Sequence, residues 1–345
     1  MTIHNSILSN IGNTPVISLS SLLPLNSAEL YVKLEGSNPG GSVKDRSALN
    51  MINKAESLGL LIPGGTIVES TSGNLGVALA MIAAVRGYRC IIVVDPRTSP
   101  NNIAMLKALG AQVEIVTEKN PIDGTYQEAR IRRTEYLANT IPNSYMPYQY
   151  GNPFNPEAHF ESTAKEIIID FPKGLDAVSI AVSTAGQVSG IARGLKESDY
   201  RTKIIAVDVK GSVVFGGEKA PTAVTGMGLG WVPDNLDETL IDEVYLVETH
   251  YCFIVSRYIA KKYGVLLGGS SGASLFVAIK EAIKLGEGKS VLAVAPDRGE
   301  KYLEEFYNNN WMKNKGFSTD DDLEIIYQGA RDLELFKRPR KPYCG

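Results

Sequence analysis

The sequence predicts an α/β protein built on a mostly parallel sheet. Three observations carry that reading: short runs of branched, apolar residues recur along the chain, each leads into a longer segment with helical character, and the runs are nearly unbroken by polar residues. Strands covered on both faces by helices look like this.

Taken in order, "TIVES" (Thr66–Ser70) precedes a helix over Leu75–Arg86. "CIIVVD" (Cys90–Asp95) leads to "SPNNIAMLKALG", and "QVEIVT" (Gln112–Thr117) follows. "AVSIAVS" (Ala177–Ser183) precedes "GQVSGIARGLKE", with "KIIAVDV" (Lys203–Val209) and "SVLAVAP" (Ser290–Pro296) completing the set. An irregular stretch rich in Pro, Asn and Tyr, Asn139–Pro156, separates two groups of these units and reads as a boundary between lobes. Beyond about Lys315 the composition changes, and the tail is expected to lie on the surface or against a partner subunit.

The bulk properties exclude several classes of function. With 345 residues, 44 % hydrophobic and 21 % charged, the chain has the composition of an ordinary globular protein. A net charge of -3 gives no pull toward nucleic acid or anionic membrane. The one basic run, Lys337–Lys341, reads as a solvated tail. Cys90, Cys252 and Cys344 are too sparse for a disulfide framework or a zinc site. The N-terminus lacks the features of a signal peptide and the longest apolar run, Val77–Val85, is too short for a bilayer, so a cytoplasmic location is expected. His4, His159 and His250 are scattered, and His159 in "NPEAHFESTAKEI" reads as a packing or surface residue, so chemistry run on histidine or a bound metal is not expected.

Four loops have unusual chemistry at places where open α/β sheets bind ligands, beyond the carboxyl ends of strands. In "NPGGSVKDR" (Asn38–Arg46), Ser42 with Asp45 resembles a capping box and puts Lys44 in a first helical turn. There the helix dipole disfavours the ammonium, leaving either a solvated lysine or an amine suited to a Schiff base. "ESTSGN" offers Thr71, Ser72, Gly73 and Asn74 as an anion cradle sized for a carboxylate, or as a plain N-cap. "STAGQ", comprising Ser183, Thr184, Ala185, Gly186 and Gln187, lacks the dinucleotide pattern and suits the phosphate of a small cofactor. "GGSSGAS" (Gly268–Ser274) allows close backbone approach and presents hydroxyls to a heteroaromatic ring, or is a flexible turn.

In this order, with "GNTPVISL", "PGGSVKDR", "STSGNLG" and "PDRGEKY", the chain resembles the fold-type II pyridoxal phosphate enzymes of the cysteine synthase and cystathionine β-synthase family. The likeness runs over about Ile7–Asn310. It implies a fold of two lobes, each a mostly parallel sheet flanked by helices: a smaller mobile lobe of residues 45–150, a larger cofactor-binding lobe of residues 1–44 and 151–314, and a tail of residues 315–345. It implies pyridoxal 5'-phosphate held as an aldimine by Lys44, Asn74 at its 3-hydroxyl, residues Ser183–Gln187 at its phosphate and Ser270 at its ring nitrogen. Thr71, Ser72 and Gln149 would take the substrate carboxylate, and a homodimer is usual. A serine at the ring nitrogen cannot hold it protonated as an aspartate would, which favours β-replacement over transamination.

"STAGQ" departs from the G-T-G-G-T-like loop of ordinary cysteine synthases, placing a side chain at Ser183 where bare backbone is usual. "VDPRTSPNN", "GTYQEARIRR", "VDVKGSVVFG" and "GVLLGGSSG" are similar to a siderophore-type branch, the N-(2-amino-2-carboxyethyl)-L-glutamate synthases that open 2,3-diaminopropionate biosynthesis. The implied reaction joins O-phospho-L-serine to L-glutamate and releases phosphate. Arg130, with Tyr150 and Ser183, is the candidate for the phosphate leaving group. Sulfide as nucleophile, which would make the chain a cysteine synthase using O-acetylserine or O-phosphoserine, is the alternative.

Overall fold

The computed structural model describes residues 3–120, 124–198 and 200–338. Two sheets organise them. Near the N-terminus β1 (Val16–Ser18) pairs antiparallel with β2 (Glu29–Leu34), and the chain then enters helix α1 (Lys44–Ser57). A four-stranded sheet follows, from β3 (Thr66–Ser70), α2 (Asn74–Arg86), β4 (Arg89–Val94), α3 (Pro100–Ala108), β5 (Gln112–Ile115), α4 (Gln127–Thr140) and β6 (Ser144–Tyr145). Its order is β5-β4-β3-β6 and every pair is parallel.

Helix α5 (Phe154–Ala158) continues through a π turn, His159–Thr163, into α6 (Ala164–Asp170). The second sheet then takes up β7 (Ala177–Ala181), α7 (Gly186–Glu197), β8 (Lys203–Val209), β9 (Glu243–Val247), α8 (Thr249–Tyr263), α9 (Gly269–Leu285) and β10 (Ser290–Ala295). Its order is β1-β2-β10-β7-β8-β9, parallel except at β1. Two more helices close the described chain, α10 (Asn309–Asn314) and α11 (Leu323–Asp332).

The strands read from sequence all form: two have the bounds read, Cys90–Asp95 moves back by one residue and the other three end one or two residues early, whereas β1, β2, β6 and β9 add to them. The reason β2 is obscure is Lys33. A charged residue interrupts "ELYVKL", yet Lys33 is fully buried and its amine meets Glu166 at 2.8 Å and the carbonyl of Thr14 at 3.0 Å. β6 sits inside the stretch that looked irregular, as two residues pairing with Thr66 and Ile67.

Helices α2 and α9 are buried almost all round, Leu75–Ala83 without a break in the first case. A helix apolar on every face belongs inside a molecule. Each buried aliphatic side chain there contributes about 1.5–3 kcal/mol. Both helices therefore start from fixed positions, and both open at the cavity described below.

The described part of the tail packs against the helices and edge of the larger sheet. Ile326 and Ala330 of α11 are buried, and Gly329 lets the ring of Tyr251 approach where a Cβ would lie 2.2 Å from it. The chain then runs to the far edge of the larger sheet, where the Phe336 N–H donates to the Val244 carbonyl at 2.9 Å. An edge strand is covered in this way. Arg338, read from sequence as part of a solvated run, instead donates to the carbonyl of Ile241 at 3.0 Å. Arg340, Lys341 and Cys344 lie outside the described residues. Cys90 and Cys252 are buried free thiols, and burial pushes that of Cys90 up to about 12. His159 is also buried, its Nδ1 3.0 Å from Thr163 Oγ1. Among the described residues no helix is long and apolar enough to cross a membrane.

Candidate active site

Helix α1 begins at Lys44 because the turn before it is stitched to the end of β10. The Val43 N–H donates to the Pro296 carbonyl at 2.8 Å, and Ser42 bridges to Asp297. The capping differs from the sequence reading. Val43 holds the N-cap position without a side-chain bond, Ser42 Oγ accepts from the Lys44 N–H at 3.2 Å, and Asp45 turns back to accept from the Gly40 N–H. The amine of Lys44 has a lowered pKa as expected, but the cause is different: removal from water dominates, and the nearby charge of Asp297 opposes it.

At the carboxyl end of β3, Thr71 Oγ1 accepts from the Gly73 N–H at 3.3 Å, which shapes the loop leading into α2. Asn74 opens that helix. Its Nδ2 donates to Asp297 Oδ2 at 2.8 Å and its Oδ1 accepts from Lys301 Nζ at 2.5 Å. Tyr302 donates to the same Asp297 oxygen at 2.6 Å. Asp297, Lys301 and Tyr302 had no role in the sequence reading. Their signal was present in "PDRGEKY", a cluster of charged residues directly after a buried strand, but no spacing rule says which of them turns inward.

At the end of β7, Ala185 takes a left-handed conformation (φ 60°) and α7 starts at Gly186. A Cβ on Gly186 would lie 2.1 Å from Asn155 Oδ1, so only glycine fits. Asn155 Nδ2 in turn donates to Thr184 Oγ1 at 3.1 Å and to the Gln149 carbonyl at 2.8 Å. Asn235 donates to the same carbonyl at 2.7 Å. Two buried carboxamides thus hold Gln149, a segment of the smaller sheet's connections, against the larger sheet. Neither asparagine stood out in the sequence.

Arg130 reaches in from α4 and pairs with Asp95 at 3.1 Å; its Nε has no hydrogen-bond partner among the described residues. Tyr150 packs edge-on against Trp231 with ring centroids 4.9 Å apart. Trp231 ends a glycine-rich loop, "TGMGLGW", that forms one wall of the site and went unread in the sequence.

These groups share one cavity of about 340 Å³. Lys44 and Ser270 line it with the loop Thr71–Asn74; Arg130, Gln149 and Tyr150 form another part of its wall. Ser183, Thr184, Ala185 and Gln187 complete it. Of the residues singled out from sequence, Gly186 alone is buried behind the wall.

A family model for pyridoxal-phosphate dependent enzymes matches residues 7–297. The chain belongs to that family. Solved structures agree. A cysteine synthase from Entamoeba histolytica superposes with a TM-score of 0.85 at 33 % identity, covering 96 % of each chain. O-ureido-L-serine synthase does so with 0.84 at 34 %, over 93 % of this chain and 98 % of that one. An O-acetylserine dependent cystathionine β-synthase from Helicobacter pylori gives 0.80 at 36 %, over 88 % and 99 %. This pyridoxal-phosphate dependent enzyme is thus of the cysteine synthase-like type.

The residues present fit the cofactor. Gln187 is 7 % exposed, lines the cavity, and leaves its Nε2 without a hydrogen-bond partner among the described residues, as an amide awaiting an acceptor would. It stands at the N-terminus of a twelve-residue helix, where backbone N–H groups favour an anion.

Proposed function

We propose that this enzyme joins O-phospho-L-serine to the amine of L-glutamate, giving N-(2-amino-2-carboxyethyl)-L-glutamate and phosphate. The observation that carries the reading is Arg130: a guanidinium that lines the cavity with Tyr150, pairs with Asp95 through Nη1 and keeps an Nε with no hydrogen-bond partner among the described residues, a cation of the kind that suits a departing phosphate. Bound pyridoxal phosphate supplies the electron sink that makes the substrate's Cα proton acidic.

The chain's own residues do the rest. Thr71, Ser72, Gly73 and Gln149 orient the substrate carboxylate. Asn74 and Ser270 would hold the cofactor ring at its 3-hydroxyl and nitrogen, and the segment from Ser183 to Gln187 would hold its phosphate. Lys44, depressed in basicity by its surroundings, serves as the base: its Nζ takes the Cα proton. The Cβ–O bond then breaks with its electron pair leaving on phosphate, next to Arg130. The glutamate nitrogen forms a bond to Cβ and loses a proton, and Lys44 returns a proton to Cα. Residues 45–150 are proposed to move as a lobe during this cycle, and the enzyme to work as a homodimer in the cytoplasm.

The test is a competition. The holoenzyme is given O-phospho-L-serine, L-glutamate and sulfide together, and products are identified by mass spectrometry. The glutamate adduct with release of phosphate is expected. Cysteine as the sole product would replace this reading with that of a cysteine synthase.

A further inference from the structure

A second cavity, of about 280 Å³, adjoins the first; Ser72, Arg97, Arg130 and Thr225 line both. Its size is close to that of small-molecule sites, which begin near about 300 Å³. The conversion described above uses none of its remaining wall. That wall includes Thr98, Ser99 and Asn102 at the start of α3, a nine-residue helix.

Four observations give this cavity a chemistry. Thr98 is 6 % exposed, and its Oγ1 has no hydrogen-bond partner among the described residues. Asn102 is 7 % exposed; its Nδ2 is committed to the Ser72 carbonyl at 3.0 Å, while its Oδ1 is unpartnered. Ser99 occupies the N-cap of α3 without capping it, and Pro100 follows, so the helix presents its free N–H groups and its positive end unscreened. Finally, three cations line the cavity, Arg97, Arg130 and Lys301, against two carboxylates, Asp95 and Glu305. Asp95 is already held by both arginines. The remaining balance is positive; the Thr98 hydroxyl can donate to an anion, Asn102 Oδ1 can only accept, and both residues line a space that joins the reaction cavity.

We infer that this side cavity is the docking site of the second substrate, an amine that carries a carboxylate, with that carboxylate on Thr98, Arg97 and the N-terminus of α3 and the amine toward Ser72 and the first cavity. The inference rests on the reading that the nucleophile is an amino acid. A sulfide ion would need no such site. The juxtaposition also explains why Asn102 grips the Ser72 carbonyl: filling the side cavity bears directly on the loop that holds the first substrate.

Glutarate tests the site, because it has the two carboxylates of glutamate and no amine to react. It is titrated calorimetrically into the holoenzyme, into Thr98→Val and into Arg97→Gln, and the same three proteins are assayed for KM. Thr98 lines the side cavity and not the first, its hydroxyl has no hydrogen-bond partner among the described residues, and valine keeps its shape; the Arg97 side chain is 64 % exposed. Both variants are therefore expected to fold. Weaker glutarate binding, and a KM for L-glutamate raised about tenfold with the KM for O-phospho-L-serine within about twofold, would bear the inference out. An unchanged glutamate KM in both variants, with the adduct still formed, would overturn it while leaving the proposed reaction intact. If the wild-type enzyme forms no glutamate adduct, the proposed reaction fails and glutarate alone decides the site. Binding that Thr98→Val weakens keeps it as a carboxylate site, and no binding overturns it.

Discussion

Asn74 donates its side-chain N–H to Asp297 across 2.8 Å, joining the first residue of α2 to the residue that follows β10 and Pro296. The two are far apart in sequence and belong to different sheets. Asp297 fixes which way the carboxamide faces: Nδ2 is committed to the carboxylate, so Oδ1 is turned to Lys301.

On the proposed role of Asn74 at the cofactor, its orientation depends on Asp297. In Asp297→Asn the acceptor for both Asn74 and Tyr302 loses its charge. A hydrogen bond to a charged group is worth about 1.5–3 kcal/mol, so cofactor affinity should fall by about ten- to a hundredfold. Tyr302→Phe, which removes only one donor, should cost less. Absorbance titration of the apoenzymes with pyridoxal phosphate measures both, and equal affinities in wild type and Asp297→Asn would show that Asn74 is held by something else.

Arg130 supports a second prediction. Arg130→Ala should lower kcat/KM for O-phospho-L-serine by about ten- to a hundredfold, the value of a lost charge-assisted contact. O-acetyl-L-serine, with a leaving group of less charge, should suffer less. Asp95 keeps Arg97 as a partner at 3.1 Å, so the variant should fold. Phosphate and acetate release, assayed side by side, gives the ratio; equal losses on the two substrates would remove Arg130 from the phosphate.

The site was legible in sequence where it is local. "STSGN" and "STAGQ" are strand-to-helix turns and "GGSSGAS" opens α9 after α8; their residue types already state an anion or ring preference, and residues of all three line the cavity. Lys44 was legible from the same kind of context, but not the reason for its lowered basicity. A helix dipole is visible in a sequence, whereas burial next to Asp297 is a product of tertiary packing. Asn155, Asn235 and Trp231 were illegible for that reason as well. Each is an ordinary residue in its own segment, made important by what it meets. The strand carrying Lys33 was lost because its charge is neutralised from α6, by Glu166.

Beneath Lys44 lies a buried ion network that should dominate stability. Arg46 bonds Glu35 through Nε at 2.7 Å and Glu166 through Nη1 at 2.6 Å, and Glu35 is fully buried. Arg46→Ala leaves that carboxylate without its partner and should cost about 3–5 kcal/mol in urea unfolding. Arg46→Lys, unable to reproduce the planar fork, should also lose stability. Burial alone would raise the Glu166 carboxyl, but Arg46 and Lys33 bring it down to about 2. Its stabilisation is thus full above the ordinary glutamate range near 4.5 and is lost as pH falls toward about 2. Unfolding measured at pH 5 and pH 3 should show that loss in the wild type and less of it in Glu166→Gln.

Glu69 makes the opposite prediction. It is the next-to-last residue of β3, before Ser70, is 3 % exposed, and burial raises its carboxyl to about 7 against the opposing N–H groups of Ser70, Tyr148 and Gln149. The folded protein therefore holds a proton on Glu69 that the unfolded chain, titrating near 4.5, has released. Stability from this group is fully present below about 4.5 and is lost as pH rises to about 7, a loss of roughly 3 kcal/mol. Glu69→Gln, neutral at every pH, should match the wild type near pH 4.5 and exceed it at pH 8. The strain falls on the backbone that carries Gln149 and Tyr150, so activity should follow. The wild type should show a rise in KM for O-phospho-L-serine above pH 7 that Glu69→Gln lacks. Parallel unfolding curves for the two proteins from pH 5 to 8 would mean that Glu69 is already ionised in the folded state, and that the loop is held by its charge instead.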